Sequence, residues 1–242
     1  MTFDIFGYNF PHFKTNQGLI NLCAHGFRPA RVILQNKKKL NVPESNYRIT
    51  PIAPECTEPR DICAVLGLPF YVCDHNEFQN TLKADFAVIL GARILSKELI
   101  ERYPKGILNI HPAILPGNRG LDNVKWSIIK KLPIGVTAHW IDARIDMGRK
   151  VAESYVDIYP DDTIRDIYIR QRQLEQELIL LVFMNDWYKK EGTEIELSEK
   201  FSAVPDELDQ NIEQYWNDYK TSYFNDELLA PRFDSASTQA QP

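Results

Sequence analysis

Residues 85–90 read DFAVIL, so five apolar side chains follow one aspartate without interruption. An apolar run of this length predicts a strand buried on both faces, as in parallel sheets that are covered by helices. Nearer the N-terminus, strands are predicted at residues 3–8 and 30–34, with a helix at residues 16–25 between them. This alternation of strand and helix predicts an α/β fold, with a mostly parallel sheet, crossover connections and flanking helices.

In the rest of the chain, the spacing of apolar residues, helix-capping residues and turn residues indicate where helices and strands begin and end. We predict further helices at residues 59–66, 97–103, 121–131, 162–190 and 205–219, and further strands at residues 69–72, 107–109, 134–141 and 149–158. Residues 35–57 have the composition of a loop. Because the composition changes after Gly192, we expect a main domain at 1–190, a small, largely helical C-terminal extension at 191–233, and a disordered tail at 234–242.

The bulk composition excludes several classes of function. The chain has 242 residues, 44% of them apolar, and a net charge of -5, which argues against a protein held on nucleic acid by a basic surface. It contains no N-terminal signal pattern and no run of about 18 apolar residues, so we expect a cytoplasmic protein without membrane contact. The four cysteines have no C-x-x-C spacing, which predicts reduced thiols and no metal site.

Polar chemistry is concentrated in residues 109–120, which read NIHPAILPGNRG. They follow a predicted strand, and open α/β sheets place their ligand sites at the carboxyl ends of strands. Asn109 and His111 are two residues apart, so in an extended chain both side chains point to the same face. Gly117 and Gly120 permit tight turns in the segment that follows.

A second polar cluster lies along and just after the predicted strand at 134–141. An amide, an imidazole and a carboxylate that meet in a cleft can run acyl transfer, by oxyanion binding and proton transfer. On spacing alone, however, an active site and a set of structural residues are about equally supported, because a single histidine near a strand end is more often structural. The cluster contains Thr137, His139, Asp142, Asp146 and Gly148.

These stretches resemble the signature of the N10-formyltetrahydrofolate-dependent formyltransferases. That signature has Asn-x-His-Pro, then Leu-Leu-Pro and Gly, followed downstream by Gly-Val-Thr-x-His and Asp-x-Gly. In this chain the corresponding residues are Asn109–Pro112, Ile114–Pro116, Gly120, Gly135–His139 and Asp146–Gly148. The resemblance covers about residues 3–188 and is strongest at residues 85–153.

The resemblance implies a Rossmann-like main domain and a catalytic trio of Asn109, His111 and Asp146. It implies that N10-formyltetrahydrofolate is the formyl donor and that no metal is needed. In the implied mechanism an amine attacks the formyl carbon, and Asn109 stabilises the oxygen of the tetrahedral intermediate. His111 handles a proton, and Asp146 holds His111. Residues implied for folate binding are Arg93, Ile94, Leu95, Ile100, His139 and Asp142, although His139 is equally consistent with a satisfied strand histidine.

The acceptor amine is inferred from differences within the family. The acidic extension does not resemble the β-rich second domain of methionyl-tRNA formyltransferases, and no Gly-rich phosphate loop follows the first strand, unlike in glycinamide ribonucleotide formyltransferases. The chain is more similar to sugar N-formyltransferases, which act on nucleotide-linked amino sugars of bacterial surface polysaccharides such as the O-antigen. The candidate substrate-binding residues are Asn118, Arg119, Gly120, Lys125 and Trp126.

Several alternatives remain open from the sequence. Arg119 suits a diphosphate because its planar guanidinium pairs with phosphate oxygens. Lys125 is slightly better explained as an ordinary solvated helix lysine, and Trp126 is equally consistent with core packing. Other possible activities are glycinamide ribonucleotide formylation, formyltetrahydrofolate hydrolysis, or folate and nucleotide-sugar binding without turnover. We also expect a homodimer, and the C-terminal extension could either cover the sheet edge or form the dimer interface.

Overall fold

The computed structural model describes residues 1–38, 56–74 and 84–225. Its strands are β1 (Phe3–Tyr8), β2 (Arg31–Gln35), β3 (Phe70–Cys73), β4 (Phe86–Ile89), β5 (Gly106–His111), β6 (Arg119–Gly120), β7 (Gly135–Ile141), β8 (Gly148–Tyr155), β9 (Thr193–Glu194) and β10 (Lys200–Phe201). Its helices are α1 (Phe13–Ala24), α2 (Pro59–Val65), α3 (Lys97–Ile100), α4 (Asn123–Lys130), α5 (Ile164–Met184), α6 (Asp206–Asp209) and α7 (Ile212–Phe224), with a short 3₁₀ helix at Trp187–Lys189.

Eight strands form one sheet in the order β3-β2-β1-β4-β5-β7-β8-β9. The five strands from β3 to β5 are parallel, and β7, β8 and β9 are added in antiparallel pairings. Within the run 85–90, Phe86, Ala87, Val88 and Leu90 are all buried, because helices and loops cover both faces at that point. The predicted α/β fold with a mostly parallel sheet and flanking helices is therefore confirmed.

Apolar residues pack on each face of this sheet. One core cluster lies between the sheet and helices α1, α2 and α5, and includes Leu19, Phe86 and Val182. The other face carries a smaller cluster around Leu99 and Ile107. Because both faces are closed, the carboxyl ends of the parallel strands and the loops that follow them remain as the place for a cleft.

Three helices differ from their predicted ranges. Helix α1 begins at Phe13, before the predicted start, because the side chain of His12 caps it by accepting a hydrogen bond from the Thr15 backbone nitrogen. Helix α5 ends at Met184, before the predicted residue 190, and Asp186 then takes a left-handed conformation with φ 56°. The predicted helix at 97–103 keeps only its first turn, as α3.

The C-terminal extension is partly helical, as expected, but it also contains two short strands. Strand β9 extends the large sheet beside β8, and β10 pairs in parallel with β6. The helix predicted at 205–219 is divided into α6 and α7. The predicted disordered tail, most of the loop at 35–57 and His75 lie outside the described residues. None of the helices within the described ranges has the length and hydrophobicity to span a lipid bilayer.

Candidate active site

Strand β5 carries Asn109 and His111 to the carboxyl end of the parallel strands. Its antiparallel neighbour β7 places His139 opposite Asn109 and Thr137 opposite His111. Asp146 lies in the turn that connects β7 to β8. Asn109, His111 and Asp146 therefore meet, because β5 and β7 are paired and the turn after β7 folds back over the ends of both strands.

His111 and Asp146 form a close pair. The Nδ1 atom of His111 lies 3.3 Å from Oδ1 of Asp146, and the backbone nitrogen of Gly120 donates to Oδ2 of Asp146 at 2.9 Å. The Nε2 atom of His111 lies 3.1 Å from the Asn118 carbonyl oxygen, so the ring is held at both edges. Burial would raise the pKa of the Asp146 carboxyl, but the hydrogen bond and charge of His111 outweigh it and hold that pKa below its usual range.

Asn109 is oriented from behind by His139, which is fully buried. The Nδ1 atom of His139 lies 3.1 Å from the Met147 carbonyl oxygen, which can only accept, so Nδ1 carries the proton. Burial, and to a smaller extent the nearby His111, lower the pKa of His139 to about 4, so the ring is neutral at pH 7. Its Nε2 atom then accepts a hydrogen bond from Nδ2 of Asn109 at 3.2 Å.

A cleft opens directly in front of Asn109 and Asp146. Its walls come from the segment after β4 and from the turn between β7 and β8, and they combine apolar side chains with a few polar groups. Such a lining fits a flat heteroaromatic ring whose edge is read by hydrogen bonds. The lining residues are Ile89, Ala92, Arg93, Ile94, Leu95, Asn109, Ile141, Asp142, Ala143, Arg144, Ile145 and Asp146.

Most residues expected to bind folate lie at this cleft. Arg93, Ile94, Leu95 and Asp142 form part of its wall, and Ile94 leaves 68% of its side chain exposed there. Ile100 lines an adjoining hollow that shares Asp142 with the cleft. His139 does not line the cleft. It contacts Asn109 from the buried side, because β7 directs its ring into the protein, so direct contact with a ligand is not supported.

The residues expected to bind the acceptor substrate have mainly protein partners. Asn118 is 1% exposed, and its amide donates to the Asn123 carbonyl at 2.7 Å and to the Ser127 hydroxyl at 2.9 Å. The Lys125 ammonium lies 2.5 Å from the Asp209 carboxylate, and both side chains are buried. These residues face the protein interior, and a role for them in substrate binding remains a prediction that their contacts do not favour.

Trp126 and Arg119 are also covered by the C-terminal extension. The Trp126 ring stacks on Phe201 with centroids 4.9 Å apart, and its Nε1 atom donates to the Ser202 carbonyl oxygen. Arg119 is 5% exposed, and its guanidinium is bonded to two backbone carbonyl oxygens, those of Ile145 and Ser198. The expectation that Arg119 receives a diphosphate is therefore not supported by its contacts.

The sequence reasoning missed two features of the site. The side chain of Gln171 in α5 donates to the Pro112 carbonyl oxygen at 2.8 Å and holds the loop after β5, but it lies 59 residues further along the chain. An aromatic group of Tyr8, Phe10 and His12 begins at the last residue of β1, and the ring centroids of Tyr8 and Phe10 are stacked 4.8 Å apart. The spacing of these three rings at every second residue was a usable signal for an extended aromatic surface.

No group of metal-ligating side chains is found in the part of the chain that the structure describes, namely residues 1–38, 56–74 and 84–225. The described cysteines are all free thiols.

Part of this chain is similar to proteins of known function. Residues 73–183 match the family model described as formyl transferase. The chain is 38% identical over 98 residues to a methionyl-tRNA formyltransferase of Desulforamulus reducens, a match covering 38% of this chain and 31% of the relative. It is 32% identical over 108 residues to a phosphoribosylglycinamide formyltransferase of Haemophilus influenzae, covering 44% and 51%. The matches thus span about a third to a half of these curated relatives.

Solved structures share the fold over more of the chain. A sugar N-formyltransferase from Shewanella sp. FDAARGOS_354 has a TM-score of 0.55 at 21% identity, covering 88% of this chain and 87% of that one. The formyltransferase PseJ from Anoxybacillus kamchatkensis, solved with UDP-4,6-dideoxy-4-formamido-L-AltNAc and tetrahydrofolate, has a TM-score of 0.50 at 24% identity, covering 65% and 90%. The chain therefore has the formyltransferase fold, and its segment at 73–183 matches the formyl transferase family.

Proposed function

We propose that this protein transfers a formyl group from N10-formyltetrahydrofolate to an amine. The observation that carries the proposal is the meeting of Asn109 and Asp146 at the back of one cleft, with His111 paired to Asp146 at 3.3 Å. An amide donor, a carboxylate and an imidazole can together supply the oxyanion binding and the proton transfer that acyl transfer to an amine uses. The match of residues 73–183 to the formyl transferase family adds independent support.

The cleft has the character needed for the pterin end of the folate. The exposed Ile94 and Ile145 and the half-buried Ile141 offer apolar contact, and the backbone of residues 93–95 and 142–146 offers hydrogen-bonding groups beside them. Apolar walls with a few polar groups are typical of sites that hold a ring and read its edge. When bound there, the folate supplies the formyl carbon that the acceptor amine attacks.

Asn109 stabilises the negative charge that develops on the formyl oxygen during this attack. One Nδ2 hydrogen is used by His139, so the other hydrogen is available to the reacting oxygen. The neutral His139 accepts this bond and keeps the amide from rotating, which prepares the donor before the reaction begins. Donors that are already oriented are a large source of rate acceleration in such reactions.

Asp146 and His111 handle the proton. The resemblance implied that His111 handles the proton, but Asp146 lines the cleft and His111 is buried behind it. We therefore propose that Asp146 accepts the proton that the attacking amine loses, and that His111 stabilises the charge of this carboxyl group. The same proton can then be given to the folate nitrogen as its bond to the formyl carbon breaks. Because the pKa of Asp146 is lowered, the carboxyl group is ionised at neutral pH, which is the form that can take up a proton.

For the acceptor we infer an amino sugar linked to a nucleotide. The aromatic group of Tyr8, Phe10 and His12 adjoins the cleft, because the Tyr8 hydroxyl donates to the carbonyl oxygen of Ala92 in the cleft wall. Lys37 lies 5.9 Å from the Phe10 ring centroid, and Arg93 lines the cleft nearby. Flat rings beside two cations suit a base and a diphosphate. The ligands of the PseJ structure support the same class of acceptor.

Glycinamide ribonucleotide is a second candidate acceptor. The observation that favours it is the 32% identity to the Haemophilus phosphoribosylglycinamide formyltransferase. Against it, the segment after β1 carries the aromatic group where a run of glycines would form a phosphate loop. The homodimer expected from the sequence remains a prediction.

The proposal is tested by incubating the protein with N10-formyltetrahydrofolate and a panel of nucleotide-linked 3-amino and 4-amino sugars, together with glycinamide ribonucleotide. Mass spectrometry then measures formylation of each acceptor. We expect one amino sugar to be formylated, with loss of activity in His111→Asn and retention in His25→Asn, a matched change at an exposed histidine. Formylation of glycinamide ribonucleotide alone would favour the second candidate, and release of formate without formylation would indicate a hydrolase.

A further inference from the structure

Asp146 has a backbone conformation that needs support from its surroundings. Its φ is 53°, in the left-handed region, which few residues other than glycine adopt. Strained positions of this kind persist only where neighbouring contacts hold them. Neighbouring hydrogen bonds must therefore fix two features of this residue. One is the orientation of the peptide group between Ile145 and Asp146, and the other is the position of the Asp146 carboxylate.

Two consecutive residues, Arg119 and Gly120, provide this support. The Nε and Nη2 atoms of Arg119 donate to the Ile145 carbonyl oxygen at 3.3 and 2.8 Å, which holds the peptide group just before Asp146. The backbone nitrogen of Gly120 donates to Oδ2 of Asp146 at 2.9 Å. One short strand thus holds both the backbone and the side chain of the residue that faces the cleft.

Arg119 and Gly120 are held in turn by residues 193–204, which we call the C-terminal strap. The third guanidinium nitrogen of Arg119, Nη1, donates to the Ser198 carbonyl oxygen at 2.7 Å. Strand β6 pairs with β10, and a Cβ atom on Gly120 would lie 2.0 Å from the Phe201 carbonyl oxygen. The two backbones therefore approach so closely that only glycine fits at position 120.

The C-terminal strap is fastened at further points along the same loop. The Ser198 hydroxyl donates to the Pro116 carbonyl oxygen at 2.5 Å, and the backbone nitrogen of Val204 donates to the Asp122 carboxylate at 2.9 Å. This segment lies beyond residues 73–183, the part that matches the formyl transferase family. Arg119 and Gly120, which contact Ile145 and Asp146 directly, lie within the matched region, whereas the C-terminal strap that holds them lies outside it.

We propose that Arg119 is a positioning residue for Asp146, and that the C-terminal strap sets the geometry of this carboxylate through Arg119. The kinetic consequence rests on the proposed formyl transfer, whereas the structural consequence does not. Arginine is needed because its rigid, planar fork reaches the Ile145 and Ser198 carbonyl oxygens together. A lysine ammonium is a compact charge on a flexible stem and does not reproduce that geometry.

The test compares Arg119→Lys with Arg31→Lys. Arg31 is a matched control because it is also largely buried and bonded by its guanidinium, to Asp4, at the start of β2 and away from the cleft. Thermal unfolding is measured for both variants to establish that they fold. We expect kcat for formyl transfer to fall roughly ten- to a hundredfold in Arg119→Lys, as for displaced catalytic groups generally, with KM for both substrates within about twofold of wild type.

Nuclear magnetic resonance of the His111 ring gives a second readout that needs no substrate. The ring proton and nitrogen signals of His111 report its contact with Asp146, so we expect them to move in Arg119→Lys and to stay unchanged in Arg31→Lys. If the wild-type protein formylates no acceptor in the panel, the proposed function fails, but this comparison still tests the positioning role. Should Arg119→Lys not fold, Ser198→Ala loosens the strap and should shift the same signals by less.

Two results would overturn the proposal. The first is an Arg119→Lys protein with wild-type kcat and unchanged His111 signals. The second is a raised KM for the nucleotide-linked substrate with kcat unchanged, which would assign Arg119 to the binding of a diphosphate, as the sequence first suggested.

Discussion

Two polar regions of this molecule differ in what surrounds them. In the cleft, Asn109 and Asp146 face a space that a ligand can enter. In the covered stretch, residues 118–126, side chains of similar polarity are buried against the C-terminal extension, with Lys125 3% and Trp126 8% exposed. Both regions looked suited to binding in the sequence. The difference teaches that a polar residue is available to a ligand only where no other part of the chain reaches it first.

The two regions also use charge differently. The Lys125–Asp209 ion pair joins α4 to α6 in the protein interior, where its two charges satisfy one another. The Asp142–Arg144 pair at the cleft is half-exposed and lies within a single turn. Buried pairs are costly to break because the remaining charge loses its partner away from water. The largest mutational effects on stability should therefore arise in the covered stretch and those on turnover in the cleft.

The largest effect is expected for Lys125→Met. Removing the ammonium from beside the buried Asp209 carboxylate should lower the free energy of unfolding by about 3–5 kcal/mol. Denaturant unfolding measures this loss. The double variant Lys125→Met with Asp209→Leu should recover most of it, because neither charge then remains in the interior.

A matched control is Lys189→Met, which breaks an exposed ion pair with Asp186 and should have little effect. If Lys125→Met were as stable as wild type and raised the KM for the acceptor, Lys125 would be returned to the binding site. The covered stretch would then contain a residue that binds the acceptor.

The second expected effect is a pH dependence of stability from His139. Its pKa is lowered to about 4 in the folded protein, below the ordinary value of 6.5, so between these values the unfolded chain binds more protons than the folded one. Stability should therefore fall as the pH drops from about 6.5 to about 4, by roughly 3 kcal/mol from this residue. Unfolding measured across this range, in wild type and in His139→Gln, isolates the contribution as a difference.

If the difference in unfolding free energy between wild type and His139→Gln did not change with pH, the folded protein would not lower the pKa of His139. A substantial share of the His139 rings would then be protonated near neutral pH, and a protonated ring cannot accept the Asn109 hydrogen bond.

The third effect concerns Asn109 itself. Asn109→Ala removes the donor to the reacting oxygen and should lower kcat roughly a hundredfold or more, equivalent to about 2.7 kcal/mol or more in the barrier. Steady-state kinetics on the formylated acceptor measure it, with Asn217→Ala on the exposed face of α7 as the matched control. An Asn109→Ala enzyme with nearly full turnover would exclude this residue from the mechanism.

The sequence predicted most of the sheet well. Strand β1 matches its predicted range, and the strands predicted at 134–141 and 149–158 agree with β7 and β8 within a few residues, because alternating or continuous apolar residues mark strands locally. Strands β9 and β10 were missed because each has only two residues, which is too short to show a period of apolar and polar residues. Each forms only because a partner strand lies beside it.

The site was predictable to a similar degree. The closeness of His111 to Asp146 was predictable because the spacing of these residues resembles a known signature, and most of the residues expected to bind folate lie along one cleft, where their role remains a prediction. The roles of Arg119, Lys125 and Trp126 were not predictable, because their partners Ser198, Asp209 and Phe201 follow them by more than 70 residues. No local pattern encodes a contact over such a separation.

By itself, the sequence determined which segments form buried strands and which polar residues share the end of β5. These properties depend on the order of residues within segments of about ten residues. The spacing of apolar residues and the positions of turn residues in such a segment decide them. Only the tertiary structure decided which of the polar residues remain open to a ligand. That depends on where the C-terminal strap returns to the domain, since its backbone and the helices after it exclude water from the covered stretch and leave the cleft exposed.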